Sequence, residues 1–450
     1  MVNDLPDELR ELIPLFTDAV MRLGTKDKSM EQIEELIRLK TGGVSVGYHA
    51  SPSLSPRGYE EGLAFSGYAL DGNVPAMYDL LRTIVMETDF DSQTAEQKIR
   101  QLLQSSASSA SDTVAEAGHS YARRYAEGGL SSYSRLIEQT SGLTQVQLTT
   151  RLASRTEEGG LAEIIAKLKR IQSIALTSSP ELRVAITNDA SASPSNQKHL
   201  QEFLKSLPPG PSAFSRIKPA DLTRNAKSFF PLPYQVYYSA QCFSAPTYTS
   251  AASPPLAILS QLLTHKHLHH EIREKGGAYG GGAYHSPLSG VFGIYSYRDP
   301  NPQNTLNIMR GAGRWAADRK WTDSDLEEAK LSVFQRVDAP ESVSQEGMDL
   351  FLSGITEEMK QERRERMLDV TATQVKEAAE EYLVKGIEQS NLAVLGQKKD
   401  WVREKDGWQL RNLGIGEEAM EEEGQSGVAS TGVEGLTMGI AAGITAALGS

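Results

Sequence analysis

The sequence is short of cysteine. Cys242 is the single one in 450 residues, so neither a disulfide framework nor a cysteine-based zinc site can form within the chain. Such usage fits a reducing compartment. Long apolar runs are also missing. No stretch of about 20 apolar residues occurs, so nothing here spans a bilayer as a single helix. The apolar stretch 436–449 carries Gly439 and Gly443 at helix-dimer spacing, but it is too short for a span and is expected to be a flexible tail. The acidic start, Met1 to Leu9, is neither a signal peptide nor an Arg-rich transit peptide. Basic residues are outnumbered: 46 Lys and Arg against 58 Asp and Glu leave a net charge of −12. That balance argues against nucleic-acid binding, which needs a basic face, and it suits a cationic partner. No G-x-G-x-x-G follows a strand, so a nucleotide-binding βαβ unit is not supported. Neither H-E-x-x-H nor H-x-x-E-H occurs. His199-Leu200-Gln201-Glu202 begins the inverse form, but Phe203 stands where the second histidine is needed.

The rest is an ordinary globular composition, 39% hydrophobic and 23% charged, long enough for two large domains or three smaller ones. Apolar residues at three- and four-residue steps predict a helix over 5–23 and a second over 30–41, capped by Ser29 and stopped by Gly42-Gly43. Residues 44–48 and 62–71 read as strands, and helices are expected to Met86, over 93–125, 133–140 and 161–171. Leu182 to Ile186 alternates like a short strand. Prolines at 208, 209, 211, 219, 231 and 233 mark a linker, 207–232, between a first domain, 1–206, and a second, 233–411. In the second, 235–245 reads as a strand, 254–275 as a helix, and 278–297 as two strands around a turn. Helices are expected over 302–318, 323–336, 341–361 and 371–385, with a closing strand over 391–395. The fold class is α+β, with antiparallel sheets packed with helices. Residues 412–450 are expected to be a disordered tail.

Two segments carry candidate chemistry. His265, His267, His269 and His270 crowd one helix, where His265 and His269 share a face. Two imidazoles a turn apart can bind zinc, but three convergent ligands cannot be named, and a packed or solvated face is the plainer alternative. The second segment runs from Ile272 to Gly282. Gly276-Gly277 ends the helix with a left-handed cap, placing Arg273 in its last turn and Tyr279 at the start of the next strand. Gly280, Gly281 and Gly282 leave that strand bare, so another backbone can approach and an extended peptide can be added to an open edge. A tyrosine hydroxyl can donate to an oxyanion developing at a scissile carbonyl. A guanidinium can hold a carbonyl or a carboxylate. On spacing alone the simpler alternative stands beside this: Arg273 complements the helix dipole, Tyr279 packs, and the glycines turn. Further on, Tyr295 and Tyr297 face one side of a strand, as a substrate-facing or a packed pair, and Asp299-Pro300-Asn301 turns into the next helix.

At this point the chain resembles a family. Residues 272–282 and 295–301, Glu328 to Phe334, and Val337-Asp338-Ala339-Pro340 are similar to the C-terminal part of presequence proteases, zinc metallopeptidases of the pitrilysin superfamily. Leu5 to Arg10 and Leu39 to Gly43 also resemble that family. The resemblance implies four related α+β domains of pitrilysin/LuxS-like metallohydrolase type, closing around a peptide chamber, with this chain as domains three and four. It implies that Arg273 and Tyr279 bind substrate and assist the tetrahedral intermediate, with Gly280, Gly281, Gly282, Tyr295 and Tyr297 as substrate contacts. It implies zinc in the complete enzyme, held by an N-terminal half and not by this chain. It implies short, mostly basic peptides as substrates, and a mitochondrial address. The N-terminal half would be a partner, while no nucleic acid and no membrane are expected. Against the strand pattern of the family, domain three lacks its first strand here. The alternative function is a non-catalytic peptide-binding or partner subunit, or an inactive truncated product.

Overall fold

The computed structural model describes residues 6–54, 58–157, 160–178, 182–210 and 222–415. The first sheet is a hairpin of β1 (Gly43–Pro52) and β2 (Tyr59–Tyr68), antiparallel with Gly43 opposite Tyr68 and Pro52 opposite Tyr59. Helices Ile13–Val20, Val74–Met86, Gln93–Ser108 and Leu161–Ala175 pack with it around Ile13, Phe16, Ile84, Ile99 and Leu168, all at most 1% exposed. A buried ion pair, Arg10 Nε to Glu61 Oε1 at 2.6 Å, joins the first turn of the chain to β2, and the Tyr48 hydroxyl donates to the same oxygen at 3.0 Å.

The second sheet has six strands: β3 (Lys227–Pro231), β4 (Tyr237–Ser244), β5 (Gly280–Ser286), β6 (Val291–Asp299), β7 (Asn391–Gly396) and β8 (Trp408–Leu410), in the order β5-β6-β4-β7-β3-β8. β3 runs parallel to both β7 and β8, and the other pairs are antiparallel. The α+β class holds, with one sheet mixed. One face carries Phe243, Phe292 and Ile294 against Ile258, Leu262, Ile272, Met309 and Leu383 of the later helices. The opposite face carries Tyr238, Ala240, Cys242, Ala393 and Leu395. It is covered by Val114, Ala122 and Ala126 of helices Ala110–Glu116 and Gly118–Glu127. Helices from the first 150 residues thus complete the core of a sheet that lies beyond residue 226, and the described residues up to Ile415 form one compact unit.

The closeness of that helix to the sheet rests on Gly118, where a Cβ would overlap the Tyr238 ring. Tyr238 is 2% exposed and cannot swing away. Gly118→Val is therefore expected to cost about 2 kcal/mol through overpacking, read as a lower urea midpoint at unchanged slope. Beneath the same helix, the Arg123 guanidinium lies 3.6 Å over the Tyr284 ring, the Tyr284 hydroxyl donates to Glu127, and Cys242 Sγ lies 3.4 Å from that hydroxyl. Burial pushes both the Glu127 carboxyl and the Cys242 thiol upward.

Several sequence expectations are corrected. The helix expected over 93–125 is three helices, interrupted near Ser109 and Ala117. A helix at Leu143–Glu157 follows Gly142 and adds to those expected. Residues 182–186 form no strand and join no ladder among the described residues, and alternation alone cannot supply a partner strand. The helix expected over 341–361 is broken by Gly347 and Gly354, both at φ +76°, into Met348–Ser353 and Glu357–Leu368. The linker 207–232 contains β3, whose Phe229 and Phe230 are buried; its remainder at 211–221 lies outside the described residues. Leu413 is 3% exposed and packs under the sheet, and 416–450 lie outside the described residues.

Candidate functional site

The helix Ser253–Leu263 begins with Pro254 and Pro255 in its first turn, where no N–H is needed. It widens at Thr264–Lys275 into a π-helix, a form often found at functional sites. Leu268 and Ile272 anchor this part in the core at 0% exposure. The wide helix closes at Gly276-Gly277. The Gly277 N–H donates to Arg273 O at 3.0 Å and the Ala278 N–H to Ile272 O at 3.1 Å. This is the Schellman pattern enlarged by one residue, as a wider helix requires. Gly277 is left-handed at φ +80°, and a Cβ on Gly276 would lie 2.5 Å from Ile272 O.

That cap delivers two side chains to one end of the sheet. Arg273 is exposed in the last helical turn, and its side chain makes no hydrogen bond or ion pair among the described residues. Tyr279 directly precedes β5 and is 72% exposed. Its ring meets Tyr297 edge to face at 5.7 Å, which leaves the phenol free to point outward. β5 is an edge strand.

The segment after β6 clamps this turn. The Tyr279 N–H donates to Arg298 O at 3.3 Å, and the Asn301 side-chain amide donates to Gly276 O at 2.8 Å. Arg298 holds a left-handed φ of +49°, an uncommon state for a non-glycine residue and one that marks functional sites. Asp299, fully buried, accepts from the Asn301 N–H at 2.8 Å at the start of helix Pro302–Asp318. Burial raises its carboxyl. Sequence reasoning reads Asp299-Pro300-Asn301 as a turn only; the contact from Asn301 back to Gly276 spans 25 residues and has no local signal. Asn301→Ala is expected to cost about 1 kcal/mol and to speed amide exchange at Gly277 and Ala278 while leaving the sheet protected.

The other candidates fall as follows. Of the three glycines, Gly281 and Gly282 face the wide helix. A Cβ on Gly281 would lie 3.0 Å from Ile272 Cγ2, and one on Gly282 would lie 3.2 Å from Thr264. The close neighbour at these two positions is the chain's own helix. The Thr264 hydroxyl also accepts from the Ala283 N–H at 2.8 Å, covering part of the edge. Gly280 stays open, with only Tyr297 at 3.8 Å. Tyr295 and Tyr297 share a face. Tyr295 is half-buried near His119, Arg123 and Tyr284. Tyr297 lies between His119 at 4.6 Å and Tyr279, and so links the packed cluster to the exposed tyrosine. Burial beside Arg123 holds His119 down at about 4.

The histidine-rich turn is absorbed by packing. His267 stacks on Trp315 at 4.1 Å, His270 Nδ1 meets Glu274 at 2.7 Å, and the His265 ring meets that of His269. Among the described residues no three His, Cys, Asp or Glu side chains converge on a point where a metal ion would sit. The described side chains therefore do not supply a zinc site.

The comparisons with known proteins give first a class. The fold is that of the M16 peptidases. It matches the crystal structure of pitrilysin with a TM-score of 0.57 at 13% identity, over 93% of this chain and 42% of that one. It also matches a peptidase M16 inactive domain from Pseudomonas fluorescens with a TM-score of 0.54 at 15% identity, over 86% and 88%. Two family models narrow it: the domain associated with subfamily C of these peptidases over residues 1–152, and the PreP C-terminal domain over 227–395. Proteins called mitochondrial presequence protease are 57% identical over 418 residues in Gibberella zeae, 49% over 416 in Emericella nidulans and 37% over 395 in Saccharomyces cerevisiae. They cover 92%, 92% and 85% of this chain. The chain belongs to the presequence protease family. It spans about two fifths of the length of these relatives.

Proposed function

We propose that this chain is the C-terminal half of a mitochondrial zinc metalloendopeptidase that degrades presequences and other short unstructured peptides. In this reading residues 1–206 form the third domain and 233–411 the fourth. The zinc and its ligands lie in an N-terminal half outside this chain. What this chain supplies is a peptide seat. Gly280 at the sheet edge leaves room for a substrate backbone to lie along β5. The Tyr279 O–H donates to the scissile carbonyl oxygen as negative charge builds there, an interaction stronger in the transition state than in the ground state. Arg273 donates to a neighbouring peptide carbonyl or terminal carboxylate and keeps its charge throughout. The net charge of −12 favours the approach of basic peptides.

The observation that carries this reading is the exposed pair itself. Arg273 and Tyr279 present unengaged polar ends, while a glycine cap and the Asn301 bond fix the backbone beneath them. Binding of a fluorescein-labelled basic peptide to the chain, followed by anisotropy, tests it. Arg273→Ala is expected to weaken binding by about tenfold, the scale of a lost charged hydrogen bond. Equal affinity of the two proteins would remove Arg273 from the seat.

A further inference from the structure

The ladder between β6 and β4 is irregular at one place. Tyr237 stands opposite Asp299 and Ser239 opposite Ser296, so two residues of β6, Tyr297 and Arg298, face Tyr238 alone. This is a β-bulge, a device that re-aims side chains and is common beside active sites. Arg298 is the residue with the left-handed φ of +49°. In a regular strand its side chain would point away from the face that holds Tyr297. In the bulge it returns to that face. Its guanidinium lies 5.3 Å from the centre of the Tyr297 ring and meets the Tyr238 hydroxyl, and both tyrosines belong to the face covered by helix Gly118–Glu127. The strained backbone thus has a visible effect: it brings one guanidinium back over the tyrosines.

The bulge adjoins Tyr279. The Arg298 carbonyl accepts from the Tyr279 N–H, and the Tyr279 ring meets that of Tyr297. Gly280 pairs with Tyr297 across the ladder, and paired residues share one face. Gly280 has no side chain, and a Cβ there would meet only Tyr297, at 3.8 Å. β5 itself therefore does not block the way from its open edge to that ring and the guanidinium above it. Arg298 is exposed, and no Asp or Glu side chain pairs with it among the described residues. Its charge is permanent, and its fork of donors matches a carboxylate in two parallel hydrogen bonds. A basic peptide carries one carboxylate whatever its sequence, the C-terminal one. We propose, on the basis of the peptide seat of Arg273 and Tyr279, that Arg298 is a further substrate-binding residue, donating from its guanidinium to a carboxylate of the bound peptide, in the first place the C-terminal group. That leaves Arg273 to a peptide carbonyl.

Titration calorimetry of the full chain tests this with three unlabelled peptides of one basic sequence. The first has a free C-terminal acid and no Asp or Glu, the second is its C-terminal amide, and the third is that amide with one internal residue changed to Glu. The acid is expected to bind at least tenfold tighter than the amide, the scale of a charged hydrogen bond. Arg298→Asn puts a residue tolerant of left-handed φ at the bulge, so the fold is kept. It is expected to bring the acid down to the affinity of the amide and to leave the amide unchanged, a split that a merely structural role would not give. Arg273→Ala is expected to weaken acid and amide alike. A tighter glutamate-bearing amide, with the gain lost in Arg298→Asn, would support the carboxylate site and make an acidic side chain its source. Equal affinity of all three peptides, or a preference for the acid that survives Arg298→Asn, would overturn the role of Arg298 and leave the seat standing. No binding of any peptide by the folded chain would overturn the seat and, with it, the role of Arg298.

Discussion

Tyr279→Phe is expected to lower kcat of the assembled protease by about 10²–10³ with KM nearly unchanged. The range is that of a single lost oxyanion donor, and the split follows because the phenol gains strength only as charge develops on the carbonyl oxygen. Phenylalanine keeps the ring, and the ring is what meets Tyr297 at 5.7 Å. With Tyr279 72% exposed and its O–H making no hydrogen bond among the described residues, stability is expected to stay within about 0.5 kcal/mol, as for ordinary surface positions. Arg273→Ala acts differently: it removes a contact made with bound substrate as well as with the transition state, so KM rises. Steady-state kinetics on a quenched fluorescent basic peptide separates the two. Tyr279→Phe with wild-type kcat would take the hydroxyl out of the chemistry.

The second large effect is on stability against pH. Burial drives the Glu138 carboxyl up to about 8, outweighing the Thr144 and Leu143 N–H groups and Arg124, all of which favour its ionised form. Its ordinary value is 4.5. A carboxyl raised in the folded state holds its proton there while the unfolded chain has already lost it. Stability from this group is therefore full below about pH 4.5 and falls as pH rises toward about 8. At 1.36 kcal/mol per unit the loss is about 5 kcal/mol, large beside the roughly 5–15 kcal/mol stability of a typical domain. Glu138→Gln keeps the shape and one acceptor oxygen for Thr144 but cannot ionise, so its urea midpoint is expected to change less between about pH 5 and 8. Parallel wild-type and variant profiles would show that Glu138 ionises freely in the folded chain.

The sequence discloses what short-range chemistry controls. The stop of the 253–275 helix at Gly276-Gly277 is legible because a left-handed position all but requires glycine, and Gly277 has φ +80°. Arg273 and Tyr279 follow from that stop. The edge position of β5 agrees with a bare strand, yet two of its three glycines serve the chain's own helix, a distinction that needs the packing of Thr264 and Ile272. β3 is hidden because Pro231 and Pro233 read as linker, while Phe229 and Phe230 gain their place from β7 and β8, about 160 and 180 residues later. Leu182 to Ile186 has the strand pattern and no partner beside it among the described residues. The pocket beside Glu138 is hidden for the same reason: its lining comes from residues 125–144 and 223–411, and no local pattern encodes their meeting.

The central claim is that this chain completes an active site and does not contain one. Cleavage of a quenched fluorescent basic peptide in the presence of zinc tests it most directly, first by the chain alone and then by the chain mixed with the N-terminal half of a related presequence protease. The expected result is no cleavage alone and cleavage in the mixture, abolished by a chelator and reduced at least a hundredfold by Tyr279→Phe. A folded chain that stays silent in the mixture while still binding peptide would contradict the account and make it a binding subunit.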